Sequence, residues 1–277
     1  MEPKTVTANG LRFGYLEHGE GPLVLLVHGF PDTAYTWEKV MPALADAGFR
    51  AVAPFTRGYR PTEVPADGAY DVETLARDVL ALIDAFGGSA IVVAHDWGAA
   101  AAYAAAALEP ERTKLKLLVT VGVPHPRSIV PTPWLLWKIR HFAVLRWRSA
   151  TARMKRDDFA YIDVLVKRWS PAWEYGPEEF AKVRGAFADD ACLEAALAYY
   201  RAMSPRYSGL VRSRIAVPTV TFAGEHDGTL KPRAFEKART CFTGSYEVVQ
   251  MPGGHFMHRE HPEHFATELV RVLQDHR

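Results

Sequence analysis

Uninterrupted apolar segments recur along the chain and indicate buried β-strands. The segment 23–27 contains only leucine and valine, a composition typical of a strand that is covered on both faces of a parallel sheet. Comparable segments occur at residues 50–53, 90–94, 115–121 and 217–222, and a further strand is expected at 246–250. Most of them are separated by segments long enough for a helix, and strands that alternate with helices predict a mostly parallel α/β sheet.

The segments between the strands carry helical patterns. We expect helices near residues 36–47, 72–86, 97–108, 232–240 and 262–275. In the last of these, Phe265, Leu269 and Val272 recur at the helical period.

The chain opens with a different pattern. Apolar and polar residues alternate beside Asn9 and Gly10, a pair that favours a tight hairpin turn. We therefore expect a two-stranded hairpin before the parallel sheet begins.

The regular alternation of strands and helices stops between residues 121 and 217. This stretch has helical patterning and contains five of the seven tryptophans: Trp134, Trp137, Trp147, Trp169 and Trp173. We therefore expect a core domain formed by residues 1–125 and 213–277, with a helical cap inserted at residues 126–212.

Residues 138–168 contain nine Lys or Arg and three Asp. We interpret this region as tryptophans lining a substrate cavity beside a solvated basic face. A membrane-surface or anionic-ligand role is the alternative.

Composition restricts the class of protein. The 277 residues are 48% hydrophobic and 23% charged, which argues against a disordered, collagen-like or coiled-coil chain. The 33 basic residues nearly balance the 32 acidic ones, so no overall field favours nucleic acid, and we expect a small-molecule partner.

Cysteine spacing and the lack of long apolar segments bear on where in the cell the protein is located. Cys192 and Cys241 lie in no metal-binding spacing and are expected to be thiols. Residues 1–5 lack the apolar region of a signal peptide, and the apolar segment 97–108 is too short to span a membrane. We expect a cytoplasmic protein without membrane contact, and a homodimer stays open.

A strand, a tight turn and a helix meet at residues 94–98, Ala-His-Asp-Trp-Gly. A nucleophile elbow needs small residues two positions before and two positions after the nucleophile, because the turn residue adopts a strained backbone conformation. Ala94 and Gly98 meet that requirement. Asp96 occupies the nucleophile position, where serine is usual.

An aspartate at this position predicts attack on carbon. A carboxylate is already ionised and can attack an electrophilic sp3 carbon directly, forming an alkyl ester. The amides at the start of the following helix favour the charged form of Asp96. The alternative is that Asp96 merely caps that helix.

Two later loops supply candidates for an acid and a base. In this architecture the nucleophile is followed along the chain by an acid and then by a histidine. Asp227 follows strand 217–222, and His255 lies in a Gly-Gly-His loop after strand 246–250. Both loops are at carboxyl ends of strands, where such sheets place their sites. We predict His255 as the base and Asp227 as its orienting acid, with Glu225 as the alternative acid.

A fourth loop follows the first buried strand. An amide from this loop commonly joins the amide after the nucleophile in an oxyanion hole. We therefore predict that the amides of Phe30 and Trp97 form the oxyanion hole. We expect His28 to brace the loop by hydrogen bonding rather than to react.

Taken together, these segments resemble the α/β-hydrolases of the epoxide hydrolase group over essentially the whole chain. The markers are His-Gly-Phe-Pro at 28–31, Arg-Gly-Tyr at 57–59, His-Asp-Trp-Gly at 95–98, Asp227, and Gly-His at 254–255. The resemblance implies an α/β-hydrolase fold with a helical cap. It also implies hydrolysis of a small hydrophobic epoxide to a vicinal diol without a metal or an organic cofactor.

The resemblance also implies proton donors in the cap. Members of the group use two cap residues, usually tyrosines, to donate hydrogen bonds to the epoxide oxygen. The Tyr-Tyr-Arg sequence nominates Tyr200, and Tyr199 is expected to face another side of the helix. Spacing from the nucleophile suggests His141 as the first donor, with Tyr161 as the alternative and a packing role open for both.

Two other functions stay open at this stage. A haloalkane dehalogenase also uses an aspartate followed by tryptophan, but it needs a second halide donor where this chain has the apolar Phe30, and Tyr200 suits an alkoxide that needs a proton. A non-catalytic small-molecule binding protein is the other alternative. Segment 55–62 departs from the usual sequence of the family, so close relatives do not assign an individual substrate.

Overall fold

The computed structural model describes residues 1–109, 111, 113–203 and 209–276. It begins with the predicted hairpin, in which β1 (Lys4–Ala8) pairs antiparallel with β2 (Leu11–His18). Asn9 and Gly10 form the turn with φ of 45° and 74°, values that these two residues tolerate better than others. The hairpin prediction is confirmed.

The described residues form an eight-stranded sheet in the order β1-β2-β4-β3-β5-β6-β7-β8. Its remaining strands are β3 (Leu23–Val27), β4 (Arg50–Pro54), β5 (Ala90–His95), β6 (Leu115–Val121), β7 (Thr219–Gly224) and β8 (Tyr246–Met251). The hairpin strand β2 is antiparallel to β4, and the strands from β4 to β8 across the sheet are parallel. The predicted fold class is confirmed, and the carboxyl ends of the parallel strands share one edge.

The helices of the sheet region follow the predicted pattern in three places. These are α2 (Val72–Phe86), α3 (Trp97–Leu108) and α12 (Pro262–Asp275), which follows the short α11 (Met257–Glu260). The α2 helix begins at Asp71, whose carboxylate accepts hydrogen bonds from the amides of Glu73 and Thr74. The α3 helix is mostly buried alanine, so it packs close to the sheet and carries the elbow.

Two predicted helices are broken. The segment predicted as a helix at 36–47 instead forms a 3₁₀ turn at Ala34–Trp37 and then α1 (Met41–Asp46). Proline lacks an amide hydrogen and fits only the first turn of a helix, so Pro42 starts a new helix. The segment 232–240 forms α10 (Pro232–Lys237) and then tightens into a 3₁₀ turn at Ala238–Cys241.

A helical segment separates β6 from β7. Its α-helices are α4 (Pro133–Lys138), α5 (His141–Arg146), α6 (Ala150–Lys155), α7 (Tyr161–Trp169), α8 (Ala181–Phe187) and α9 (Asp190–Ala202). Shorter 3₁₀ turns occur at Pro126–Ser128, Pro177–Phe180 and Leu210–Arg212.

Polar contacts fasten this segment to the loops at the carboxyl edge of the sheet. The Tyr199 hydroxyl donates to the carbonyl of Arg57 at 2.8 Å. The largely buried Arg259 guanidinium lies 2.9 Å from both Asp32 and Glu179, so it joins the loop after β3 to the helical segment. These contacts hold the helical segment against the edge of the sheet where the parallel strands end.

Two smaller expectations concern the whole chain. Cys192 and Cys241 are free and buried thiols, as predicted. In the part of the chain that the structure describes, no helix has the length and apolar character needed to cross a membrane.

Candidate active site

The turn between β5 and α3 has the geometry of a nucleophile elbow. Asp96 has φ of 51° and ψ of −117°, a backbone conformation that residues with a side chain rarely adopt. Neighbouring chain leaves no room for larger residues, since a Cβ at Gly98 would lie 2.5 Å from the carbonyl oxygen of Val27. The small residues of the motif are therefore needed for backbone packing.

The Asp96 carboxylate is turned away from capping its own helix. It forms no hydrogen bond to the amides of the first turn of α3. Its Oδ1 instead accepts a 2.8 Å hydrogen bond from the Phe30 amide. A Cβ at Gly29 would lie 2.5 Å from that oxygen and 2.6 Å from the Trp97 amide nitrogen. The capping interpretation is thus wrong, and of the two amides predicted for an oxyanion hole, that of Phe30 binds the carboxylate.

Asp96, His255 and Asp227 form a continuous chain of polar contacts. The second oxygen of Asp96, Oδ2, lies 3.6 Å from Nε2 of His255. The other ring nitrogen, Nδ1, lies 3.2 Å from Oδ2 of Asp227. Glu225, the alternative acid, is exposed. The three loops predicted to converge therefore do so, with Asp227 as the acid in contact with the ring.

Asp227 is fully buried and is held by its own loop. Its Oδ1 accepts hydrogen bonds from the amide and hydroxyl of Thr229 at 2.6 and 2.7 Å, and from the amide of Leu230 at 2.9 Å. These bonds leave Oδ2 facing His255. Three hydrogen bonds to one oxygen fix the orientation of this buried carboxylate.

The two carboxylates keep His255 positively charged. Burial favours the neutral ring, but hydrogen bonding and the charges of Asp227 and Asp96 outweigh it and raise the pKa of His255 from 6.5 to about 10. Near neutral pH the ring is therefore an imidazolium between two anions. Loss of the charge on Asp96 would remove part of this stabilisation.

Backbone groups of the helical segment hold the histidine loop. The carbonyl of Trp169 accepts hydrogen bonds from the amides of Gly228 and His255 at 2.9 and 3.3 Å. Ser170 donates to Glu260, which also accepts from the amide of Gly254. These contacts could not be predicted from the sequence, because any residue type can supply a backbone carbonyl.

Gly122 is a further residue that the sequence analysis missed. It has φ of 73°, and a Cβ at this position would lie 2.9 Å from Nδ1 of His255. The ring therefore occupies space that only glycine leaves free. A glycine directly after a buried strand was the one available signal.

A cavity of about 240 Å³ opens in front of Asp96 and His255. Most of its lining is apolar, and the lining residues are Asp96, Trp97, Ala100, Val123, Pro126, Ile129, Leu135, Ile139, His141, Phe142, Trp169, Met203, Thr229, Leu230 and His255. We call it the catalytic cavity. Its volume and mostly apolar lining suit a small hydrophobic molecule.

His141 and Tyr161 differ in position. His141 lines the catalytic cavity, whereas Tyr161 is not among the lining residues and packs under the guanidinium of Arg153 at 4.7 Å. Burial lowers the pKa of His141 to about 3, and the negative charge of Asp96 opposes this only in part. The ring is neutral near pH 7 and can offer one N–H group.

Tyr200 is buried against the wall of the catalytic cavity and is not itself among the lining residues. Its ring lies edge-on to those of Trp97, Phe30 and Phe142, with centroids 5.1 to 5.3 Å apart. Burial, and then the charge of Asp96, raise the pKa of Tyr200 well above its ordinary value. The neighbouring Tyr199 points elsewhere, as predicted, since its hydroxyl bonds to the core.

His28 braces the loop that contains Phe30. Its Nε2 accepts a hydrogen bond from the Thr56 amide at 3.0 Å, so Nδ1 carries the proton and donates to the carbonyl of Gly29 at 3.0 Å. Burial lowers the pKa of His28 to about 4. A neutral ring with a hydrogen bond at each nitrogen fits the bracing role expected for His28.

The tryptophans of the helical segment do not form the wall of the cavity, and that prediction is wrong for most of them. Only Trp169 of the five lines the catalytic cavity, while Trp134, Trp137 and Trp147 are exposed. Residues four apart share a helix face, and Leu135 of α4 and Ile139, which directly follows this helix, both line the cavity. The tryptophans of α4 consequently face outward.

Comparison with known proteins agrees with this architecture. Residues 22–262 match the family model described as the alpha/beta hydrolase fold. A protein of the AB hydrolase superfamily from Bacillus subtilis, YfhM, is 30% identical over 98% of this chain and 97% of its own length. Epoxide hydrolase A of Mycobacterium tuberculosis is 30% identical over 98% of this chain and 96% of its own.

A solved structure is similar over the same length. The crystal structure of an epoxide hydrolase from Vigna radiata superposes with a TM-score of 0.82 at 27% identity, covering 99% of this chain and 98% of the other. The match extends through the helical segment as well as the sheet. The chain is thus a member of the α/β-hydrolase fold family, within the group that includes the epoxide hydrolases.

Proposed function

We propose that this protein hydrolyses a hydrophobic epoxide to a vicinal diol through an alkyl ester on Asp96. The observation that carries the proposal is the placement of Asp96, whose Oδ1 is bound by the Phe30 amide and whose Oδ2 lies near His255 at the base of an apolar cavity. The epoxide hydrolase relatives described above support the same reaction. In this proposal residues 126–212 act as a cap on a core formed by 1–125 and 213–277.

In the first step Oδ2 of Asp96 attacks one carbon of the epoxide ring. A carbon–oxygen bond forms to the carboxylate, the strained ring bond breaks, and its electron pair remains on the ring oxygen. Tyr200 donates its proton to that oxygen, and the neutral His141 adds a hydrogen bond. General-acid assistance of this kind contributes roughly 10²–10⁴-fold in rate.

Formation of the ester then changes the protonation of His255. The carboxylate of Asp96 loses its charge, and that charge is one of the two that hold the proton on His255. The pKa of His255 therefore falls, and the ring releases its proton to solvent. A neutral imidazole oriented by Asp227 is a competent general base.

In the second step water attacks the ester carbonyl carbon of Asp96 while His255 takes a proton from it. The carbonyl oxygen, Oδ1, carries the negative charge and is stabilised by the amides of Phe30 and Trp97, one such donor contributing about 3–4 kcal/mol. Collapse breaks the ester bond, and the leaving alkoxide takes the proton from His255. The proton of the resulting Asp96 acid restores Tyr200, and His255 takes back from solvent the proton that it released after the first step. The net reaction therefore consumes one epoxide and one water.

Haloalkane dehalogenation is the second candidate, because the Trp97 side chain lines the cavity beside Asp96. A departing halide needs no proton, so it makes no use of a tyrosine next to the nucleophile. Tyr200 and His141, two neutral donors near Asp96, favour an oxygen leaving group.

The decisive experiment is turnover in ¹⁸O-labelled water with one preparation assayed on styrene oxide, aliphatic epoxides, 1-haloalkanes and p-nitrophenyl esters. We expect diol from the epoxides, ¹⁸O in the peptide that contains Asp96 after several turnovers, and no diol from Asp96→Ala. Diol formation that persists in Asp96→Ala would refute the nucleophile, and halide release without diol formation would assign the dehalogenase.

A further inference from the structure

One face of the helical segment exposes large apolar side chains to solvent. Val130, Trp134, Leu136 and Trp137 are 64%, 46%, 56% and 57% exposed. They lie on or beside α4, on the side opposite the residues that this helix directs into the catalytic cavity. We call these four residues the apolar patch. Contiguous exposed groups of this size usually mark a surface that meets a partner.

The charge around the apolar patch has one sign. Residues 123–156 contain eight Lys or Arg and no Asp or Glu. The Lys138 ammonium lies 5.5 and 5.4 Å from the ring centroids of Trp134 and Trp137, and the Arg140 guanidinium lies 4.2 Å from that of Trp137. Neither cation forms an ion pair with a described residue. Both are therefore available to an anionic partner.

A second cavity lies beside the apolar patch and borders the catalytic cavity. It has a volume of about 280 Å³ and shares Ile129, Leu135, Thr229 and Leu230 with the catalytic cavity. Its outer lining includes Val130 and Trp134 of the patch together with three cations, Lys231, Arg233 and Lys237. Among the residues that the structure describes, no carboxylate belongs to this lining. A lipophilic molecule entering here would pass the patch first.

We propose that the apolar patch docks the protein on the surface of an anionic lipid bilayer, with the entrance to the catalytic cavity facing the lipid. Tryptophan is suited to this position because its ring is apolar and its N–H group is polar, and a surrounding set of Lys and Arg complements acidic headgroups. This proposal does not require a spanning helix. It replaces the expectation from sequence that the protein has no membrane contact.

The contribution of each basic side chain to membrane binding is large enough to measure. Each Lys or Arg that reaches an anionic surface strengthens binding by roughly fivefold. Lys138 and Arg140 flank the patch, and Lys231, Arg233 and Lys237 lie across the second cavity. Binding should therefore depend strongly on acidic lipid and weaken with added salt.

The experiment is sedimentation of the full chain with vesicles. One set is phosphatidylcholine alone, and the other is an equimolar mixture of phosphatidylcholine and phosphatidylserine. We expect binding to the mixed vesicles that salt reverses, and little binding to phosphatidylcholine. Trp137→Ala should weaken it by at least about tenfold, since a large apolar group no longer enters the interface. Lys138→Gln should weaken it by roughly fivefold.

Lys116→Gln is the matched charge control. Lys116 is exposed at the start of β6, on the sheet edge opposite the active site. The control should bind like the parent, and all three variants should retain the parent's activity on a water-soluble epoxide and its circular dichroism spectrum.

Absence of binding to the mixed vesicles, or binding that Trp137→Ala and Lys138→Gln leave unchanged, would overturn the proposal. A dimer that Trp137→Ala dissociates, without vesicle binding, would also overturn it and would assign the patch to a second copy of the chain. None of these readouts depends on epoxide hydrolysis, so failure here is distinct from failure of the proposed function.

Discussion

The amide of Phe30 donates a 2.8 Å hydrogen bond to Oδ1 of Asp96, while the other carboxylate oxygen faces His255. The two oxygens of the proposed nucleophile are therefore not equivalent before any substrate arrives. One is already placed where a negative oxygen is stabilised, and the other is free to attack. This relationship depends on Gly29, which has no side chain to separate the loop from the carboxylate.

Gly29→Ala should disable the enzyme while leaving it folded. The new Cβ would lie 2.5 Å from Oδ1 of Asp96, so the carboxylate or the Phe30 amide must move. We expect kcat to fall by about 10²–10³, the usual cost of losing an oxyanion donor. Steady-state kinetics on an epoxide measures this.

The control is Gly185→Ala in α8, where a Cβ meets nothing within 4 Å and alanine favours the helix. It should keep full activity. A Gly29→Ala enzyme with parental kcat would show that this hydrogen bond does not contribute to the reaction.

The adjacent tyrosines of α9 should separate catalysis from stability. Tyr200→Phe removes the proposed proton donor, and we expect kcat to fall by about 10²–10⁴ with little change in Tm. Tyr199→Phe removes a hydrogen bond to the carbonyl of Arg57, and we expect a loss of about 1 kcal/mol in unfolding free energy with activity retained. Kinetics and urea unfolding of both variants provide the comparison. The reverse pattern would make Tyr199 the donor.

Replacement of the histidine should trap the covalent intermediate. His255→Gln leaves Asp96 able to attack the epoxide but removes the base that activates water. We expect intact-protein mass spectrometry to show a mass increase equal to that of the epoxide. The double variant Asp96→Asn/His255→Gln should show none. An adduct in the double variant would place the alkylated group elsewhere.

The charged histidine should make stability fall in alkaline solution. The pKa of His255 in the folded protein, about 10, exceeds the ordinary value of 6.5, so the folded state binds this proton more tightly than the unfolded chain. The stabilisation is complete below pH 6.5 and is lost as the pH rises through about 10. Between these limits we expect the Tm of the parent to fall more steeply than that of His255→Gln. Equal slopes in calorimetry would indicate a neutral ring.

Much of the fold could be predicted because strands buried in a parallel sheet consist of consecutive apolar residues. The elbow was equally visible, since its backbone strain forces small residues at 94 and 98 around the nucleophile. Convergence of Asp227 and His255 followed from strand order, because carboxyl-end loops of parallel strands share one edge.

Other features could not be predicted, for physical reasons. The break in the helix at 36–47 depends on a proline that is tolerated in a first turn and not within a helix, and sequence alone did not separate the two cases. The outward direction of Trp134 and Trp137 depends on which face of a short helix packs inward. Gly122 matters because it has no side chain and so leaves room for the ring of His255. A sequence motif does not show which residue fills that room.

The carbonyl of Trp169 accepts from the amides of both Gly228 and His255, so one oxygen at the end of α7 anchors the loop of the acid and the loop of the base. If α7 were lifted to admit a bulky molecule, both anchors would be released together. Opening of α7 would therefore displace the proposed base and its orienting acid at the same time, so the geometry for proton transfer would exist only while α7 is in place.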